Sequence, residues 1–367
     1  MSLQQILILI ASALGVTFAV TPIVRGLSVR ASLVDEPGGR RVHTTAMPRL
    51  GGIGIFAGFS AALLVEFAGE TWWHWQPALV GGGAPLLGVA AGLALIFAVG
   101  LVDDLRGLTP GWKFAGQLLA AAIPIAAGLR VEFMGNPFGG GLLQLGLLSY
   151  PVTALWIVGF ANVFNLIDGL DGLAAGVAAI AAASFLVLGV QMNQLLSAVM
   201  AAALIGSCVG FLRYNFNPAS IIMGDSGALF IGFALACMSL QGVMKSAAAI
   251  TLVVPLLVIG VPVFDTASAI VRRLWHGRPI QEADNGHIHH RLMHRGFNQR
   301  QTVLIIYAWS GALALGGYAM RSVPIVARIG VFALMAVLSG LMAAWLGLFK
   351  QARVHGDGKD ERPPKGL

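Results

Sequence analysis

Eleven apolar segments, each about 17–25 residues long, constrain this chain more than any other feature. They lie at about 3–24, 50–68, 84–102, 112–128, 149–166, 172–190, 195–212, 226–244, 247–271, 302–320 and 325–349. About 20 apolar residues in a helix cross a hydrocarbon layer roughly 30 Å thick. Lipid offers backbone N–H and C=O groups no partners, so each such run has to be helical. The expected fold is therefore all-α: a polytopic integral membrane protein of about eleven transmembrane helices. Composition agrees. Only 11% of residues are charged and 57% are hydrophobic, against about 25% charged in soluble domains, which excludes an ordinary water-soluble protein.

Residues 1–24 hold no Lys or Arg ahead of the apolar run, so the run reads as a first membrane helix rather than a cleaved signal. Residues 1–350 read as one membrane domain. The end, "VHGDGKDERPPKGL", is charged and rich in Pro and Gly, and residues 351–367 are expected to be a disordered tail. Cys208 and Cys237 lie inside apolar runs with no CxxC or CxxH neighbour and read as small core residues.

The positive charges orient the chain. If the segment after the first span is cytoplasmic, 19 of the 23 basic residues fall on that side, leaving Arg130, Lys245, Arg321 and Arg328 elsewhere. This bias predicts an outside N-terminus and a cytoplasmic C-terminus. The net charge of +7 then reports topology and an anionic inner leaflet, and calls for no nucleic-acid partner.

With that orientation every polar motif falls at an inner helix end. "DDLRG" carries Asp103 and Asp104; "NLIDGLDG" carries Asn165, Asp168 and Asp171; "YNFNPASIIMGDSG" carries Asn215 and Asp225; "HIHHRL" carries His287, His289, His290 and Arg291. The first inside loop adds Asp35 and Arg49. Asp168 and Asp171 share one face if the helix continues through them; Asp103 and Asp104, being adjacent, point differently. Clustered carboxylates repel unless a cation neutralises them, and hard oxygen donors without thiols favour Mg²⁺ or Mn²⁺. Lys113, Arg272, Arg273, Arg291 and the histidines suit a polyanion. Acids, bases and glycine turns together point to metal-assisted phosphoryl transfer.

Blander readings stand beside these. A single Asp at a helix end is commonly a cap. Asp35 in "VDEPGG" can simply open a turn, Asp265 can pair with Arg272 or Arg273, and "HIHH" can ligate zinc. An ion-coupled transporter would also carry membrane carboxylates, but usually near the midplane between internal repeats, and no repeat is visible in this sequence. A non-enzymatic scaffold would tolerate loss of the acids.

Taken in order, "DDLRGLTPGWKFAGQ", "NLIDGLDGLAAG", "YNFNPASIIMGDSGAL" and "HIHHRLMHRG" resemble the motifs of the polyprenyl-phosphate N-acetylhexosamine-1-phosphate transferases, over spans 1 to 10. "HIHHRL" resembles the branch that uses UDP-GlcNAc or a related UDP-N-acetylhexosamine rather than the pentapeptide translocases, and Ala228 stands where the family often has Ser. The resemblance implies transfer of a sugar 1-phosphate from the UDP-sugar to undecaprenyl phosphate in a bacterial inner membrane, releasing UMP and starting a cell-envelope polysaccharide. It implies Asp225 as principal Mg²⁺ ligand, with Asp103, Asp104 and Lys113 lining the lipid-phosphate and metal site and Asp104 sharing the metal. Asn165, Asp168, Asp171 and Asn215 would contact the nucleotide or shape its pocket; His287, His289, His290, Arg272, Arg291 and Asp35 would meet the rest of the donor. Gly/Ala-rich spans suit a homodimer and intramolecular packing equally.

Overall fold

The computed structural model describes residues 1–35, 46–80, 82–135, 142–244, 253–275 and 286–348; the expected tail, 351–367, lies outside the described residues. The chain is nearly all helical, and eight of the described helices are long and apolar enough to cross a membrane. In order, the described α-helices are α1 (Leu3–Arg30), α2 (Gly52–Trp72), α3 (Gly83–Arg106), α4 (Pro110–Ala126), α5 (Ser149–Ile167), α6 (Leu173–Gln191), α7 (Leu195–Asn215), α8 (Gly224–Met244), α9 (Val253–Val258), α10 (Gly260–Trp275), α11 (Ile288–His294), α12 (Gln299–Ser322) and α13 (Ile325–Leu346). Two short antiparallel pairs complete it. Strand β1 (Val34–Asp35) pairs with β2 (Met47–Pro48), and β3 (Phe133–Gly135) with β4 (Leu142–Gln144).

The ninth apolar run, expected as one span, holds two helices among its described residues. Pro262 lacks an N–H and its ring crowds the carbonyl four residues back, which falls at Val258, where α9 ends. The second piece, α10, is amphipathic: Val261, Pro262, Asp265, Ser268, Ala269 and Arg272 form its buried stripe. Asp265 and Arg272 therefore face inward together.

Helix α8 is the axis of the molecule. Residues 226–240 are all buried, as expected for a helix apolar on every side, and α2, α3, α5, α6 and α7 pack around it. Phe230 of α8 meets Phe56 and Phe59 edge-on, and Phe56 stacks on Phe97 of α3 at 4.1 Å between ring centroids. Glycines let helices approach to backbone distance, as is usual where lipid-like surroundings give little hydrophobic drive. A Cβ at Gly232 would lie 2.5 Å from the Phe160 carbonyl of α5, and one at Gly58 would overlap Thr17 Oγ1 of α1. These small residues are thus used for packing within the chain.

One polar cluster lies away from all the motifs. Gln5 Nε2 donates to both oxygens of fully buried Glu66, at 2.7 and 3.0 Å, and Glu70 accepts the N–H groups of Ala78, Leu79 and Val80. Within "LLVEFAGE", Glu66 ties α2 to α1 and Glu70 anchors the α2–α3 connection, and these partners explain how the segment carries two carboxyls.

Candidate functional site

Four separated stretches meet at one end of the bundle. Thr109 and Pro110 open α4 with proline at its first turn, which sets Lys113 beside the end of α3. Lys113 Nζ reaches Asp225 Oδ2 at 2.7 Å, Asp103 Oδ2 at 2.9 Å and Asn165 Oδ1 at 3.2 Å. Asn165 Nδ2 in turn donates to Asp225 Oδ1 at 2.5 Å. Side chains from α3, α4, α5 and α8 thus close on one ammonium. One helical turn deeper, Gln117 and Asn162 hold α4 to α5 through Asn162 Nδ2–Gln117 Oε1 at 2.7 Å.

Asp103 and Asp104 do point differently. Asp103 accepts the Leu108 N–H at 2.6 Å and faces Lys113. Asp104 accepts the N–H groups of Asp225 at 2.7 Å and Ser226 at 3.0 Å. These belong to the first turn of α8, where donors have no partner within the helix and the dipole favours an anion. Asp104 is thus a cap supplied by a neighbouring helix, and both oxygens expected to share a metal are engaged by backbone. Gly224, at φ +76°, makes the bend that starts α8; a side chain there would meet the Asp104 carboxylate at 2.7 Å.

Helix α5 stops at Asp168, so Asp168 and Asp171 do not share a helical face. Gly169 and Gly172, the latter at φ +79°, turn the chain into α6. Burial pushes the Asp168 carboxyl well above the ordinary carboxylate range, and the charges of Asp225, Asp104 and Asp171 add to it. It has no hydrogen-bond partner among the described residues. Asp171 points the other way: its Oδ2 accepts from Asn217 Nδ2 at 2.9 Å and the Ala219 N–H at 3.0 Å. Asn215 completes this joint, accepting the Gly172 N–H at 3.0 Å and donating to the Ile221 carbonyl at 2.9 Å. Tyr307 of α12 donates to the Gly172 carbonyl at 2.5 Å from the far side.

Asn215→Ala would leave two buried backbone groups without partners, each costing about 1–3 kcal/mol. The expected result is a clearly lowered thermal midpoint in detergent, measured by light scattering on heating, which Asn215→Asp, able only to accept, would share in part.

The first inside segment also joins. Asp35 contacts Arg49, and Pro48 O, Ile222 O and Met223 O bind the N–H groups of Ile222, Gly51 and Gly52 respectively, tying β2 to the stretch before α8. The histidine motif forms the short helix α11. His287 Nδ1 lies 3.0 Å from Asp265 Oδ2, and the Ile288 N–H donates to Asp265 Oδ1 at 2.8 Å. Asp265 therefore pairs with the motif rather than with Arg272 or Arg273. The His289 ring packs against Gly169, leaving 3.1 Å where a Cβ would sit. Burial, and the neighbouring His290, hold His289 down to about 3, so it is neutral near pH 7.

Two basic residues expected to meet the donor have partners within the protein. Arg272 is only 4% exposed and donates to the Leu348 carbonyl at 2.5 Å, because the inward stripe of α10 carries it to the end of α13. Arg291 Nε donates to the Gly286 carbonyl at 3.0 Å, bracing its own turn. Asp265, Asn162, Gln117 and Tyr307 are contributors that the motifs alone do not assign; the i, i+7 spacing of Asp265 and Arg272 is the available signal for the first.

Among the described residues no three His, Cys, Asp or Glu side chains converge as a ready-made metal cage. Asp103 and Asp225 nonetheless bring two carboxylates with no thiol to one ammonium, and Asp168, near enough to feel the charge of Asp225, has spare oxygens. That donor set fits a hard divalent cation that takes part of its shell from substrate phosphates and water.

The fold and site define a class: a polytopic helical membrane protein with one clustered acid–lysine–asparagine centre at a single end of its bundle. A family model, glycosyl transferase family 4, matches residues 86–243, which hold that centre. The chain is 36% identical over 333 residues to a probable undecaprenyl-phosphate N-acetylglucosaminyl 1-phosphate transferase of Bacillus subtilis, covering 90% of this chain and 89% of that one. It is also 36% identical over 340 residues to a decaprenyl-phosphate N-acetylglucosaminephosphotransferase of Mycolicibacterium smegmatis (86% and 82%). A phospho-N-acetylmuramoyl-pentapeptide-transferase of Desulforudis audaxviator is 33% identical over 341 residues (84% and 96%). The chain belongs to the glycosyl transferase family 4.

Proposed function

We propose that the protein transfers N-acetylglucosamine 1-phosphate from UDP-GlcNAc to undecaprenyl phosphate, at the cytoplasmic face of a bacterial inner membrane, releasing UMP. The observation that carries this reading is the convergence of Asp103, Asn165 and Asp225 on Lys113, in a chain 36% identical to transferases of that name. The positive-charge bias supports the cytoplasmic face.

A lipid-phosphate oxygen attacks the sugar-bearing phosphorus; the bond to the bridging oxygen breaks, and UMP leaves with that oxygen. A phosphate monoester with a second pKa of about 6 is mostly dianionic near pH 7, so the nucleophile needs little help from a base. Asp103 holds Lys113 in place, and Lys113 offsets charge on the transferring group. Asp225 is the residue we assign to Mg²⁺, with Mn²⁺ able to replace it and Asp168 alongside. When bound, the metal neutralises diphosphate oxygens and orients the displacement. The histidine turn around His289, neutral and packed on Gly169, offers hydrogen bonds to the donor rather than charge.

The test is UMP release by detergent-purified protein given undecaprenyl phosphate and a panel of UDP-sugars, with Mg²⁺ or with EDTA. Release with UDP-GlcNAc that EDTA stops and added Mg²⁺ restores is expected. Release with a different UDP-sugar would keep the reaction and change the donor; no release with any donor from folded protein would overturn the reading.

A further inference from the structure

We infer that Asp265 is a positioning residue of the transfer reaction: it orients the His287 imidazole and, through it, seats the histidine turn against the Asp168 turn. The inference rests on the transferase reading and deepens it.

Asp265 lies seven residues before Arg272 on the inward stripe of α10 and is 4% exposed. Its two oxygens serve two successive residues of the motif, Oδ2 facing His287 Nδ1 at 3.0 Å and Oδ1 accepting the Ile288 N–H at 2.8 Å. A carboxylate only accepts, so the hydrogen of that pair sits on His287 Nδ1. One acid thereby fixes the imidazole's protonated nitrogen, its ring plane and the backbone that follows, a task carboxylates perform behind many functional histidines.

The orientation is passed on by packing. The rings of His287 and His289 are parallel to within 3°, with centroids 5.8 Å apart, and His289 contacts His290 at 4.2 Å between centroids. The far edge of His289 lies on Gly169, next to Asp168. His287 and His289 are both buried, so neither ring has water to replace a lost partner. The row Asp265, His287, His289, Gly169 joins α10 to the turn between α5 and α6. Asp265 touches none of the groups around Lys113, so its effect has to travel through the histidines.

The other ionisable clusters carry less. Glu66 is occupied by Gln5 of α1, and Glu70 in anchoring the α2–α3 connection. The cavity of about 360 Å³ near Asn193, Gln194 and Gln241 contains no charged side chain that would select a ligand.

The experiment compares Asp265→Asn, His287→Gln and the double variant as full-length protein in detergent, using UMP release and ¹⁵N magnetic resonance of labelled histidine. Each single variant is expected to lose about 10–100-fold in kcat, the usual cost of removing such a supporting partner, with a thermal midpoint close to wild type. The double variant is expected to be no worse than the poorer single one, because both remove the same orientation. In wild type the ¹⁵N spectrum is expected to show one Nδ1-protonated, strongly hydrogen-bonded imidazole, absent from Asp265→Asn and from His287→Gln. Losses that multiply in the double variant, or an unchanged histidine spectrum in Asp265→Asn, would overturn the inference. If wild type itself released no UMP, the transferase reading would fail, while the spectra would still decide whether Asp265 orients His287. Should Asp265→Asn not fold, His287→Gln and the wild-type spectrum decide alone.

Discussion

Asp225→Asn is expected to remove UMP release, by on the order of 10³-fold, from a protein that still purifies folded. The asparagine keeps the shape of the side chain and the backbone N–H that Asp104 accepts at 2.7 Å. What it loses is specific. The oxygen facing Lys113 Nζ at 2.7 Å would become an amide that either turns a donor toward an ammonium or gives up its bond from Asn165. The centre also becomes one charge more positive, with Asp103 left as the direct partner of Lys113. If Asp225 is the metal residue, raising Mg²⁺ recovers little, because an amide oxygen is a far weaker ligand for a hard cation than a carboxylate. Single-turnover UMP release over a Mg²⁺ titration, with thermal unfolding in parallel, measures both parts. A variant within tenfold of wild type would move the reacting centre away from Asp225.

The residues that experiment probes are legible in the sequence alone, and the reason is physical. Membrane spans write themselves into sequence through length and hydrophobicity, and an acid among such residues is costly enough that each one draws attention. Asp103, Lys113, Asn165 and Asp225 are therefore visible as a set. Their individual tasks are less so. Asp104 sits beside Asp103 in sequence and has the same chemistry, yet it caps α8; only the approach of α3 to α8 distinguishes them. The motifs suggest a pocket for Asp171 and Asn215, but the joint their contacts form between two turns is visible only in the fold. Pro262 signals the break in the ninth run, but apolar length alone reads through a proline that neighbouring helices accommodate. Arg272 is the sharpest case. As a basic residue beside a phosphate-handling motif it suits a diphosphate, and the helical phase of α10, which depends on where that break falls, sets it on the buried stripe with the Leu348 carbonyl as a partner. Charge and spacing identify which residues matter in a membrane; phase and packing decide what each one does.

Packing also supplies the second large effect, at a residue with no chemistry of its own. Gly100 lies four residues before Asp104 on α3, on the same face. A Cβ added there would stand 2.5 Å from Ser226 Cα and 2.7 Å from both the Asp225 carbonyl oxygen and Ser226 N. These are backbone atoms of the first turn of α8, which cannot rotate aside, whereas ordinary carbon contacts need about 3.5–4 Å. Gly100→Ala therefore has to push α3 away by about 1 Å. The Asp104 bonds at 2.7 and 3.0 Å would stretch beyond useful length, and Asp225 would shift relative to Lys113. Displacements of that size cost on the order of 10²-fold in rate, and overpacking costs about 1–3 kcal/mol in stability. Gly100→Val, larger still, is expected to be inactive. Gly15→Ala in α1 is the matched control: nothing lies within 4 Å of its added Cβ, and alanine in a helix interior is favoured by roughly 0.5–1 kcal/mol. That variant is expected to keep wild-type turnover and a thermal midpoint at or above wild type. UMP release and detergent melting of the three variants, compared side by side, test whether the α3–α8 backbone contact holds the site. A fully active Gly100→Ala protein would show that the site tolerates separation of those helices, and that the cap Asp104 places on α8 is dispensable for transfer.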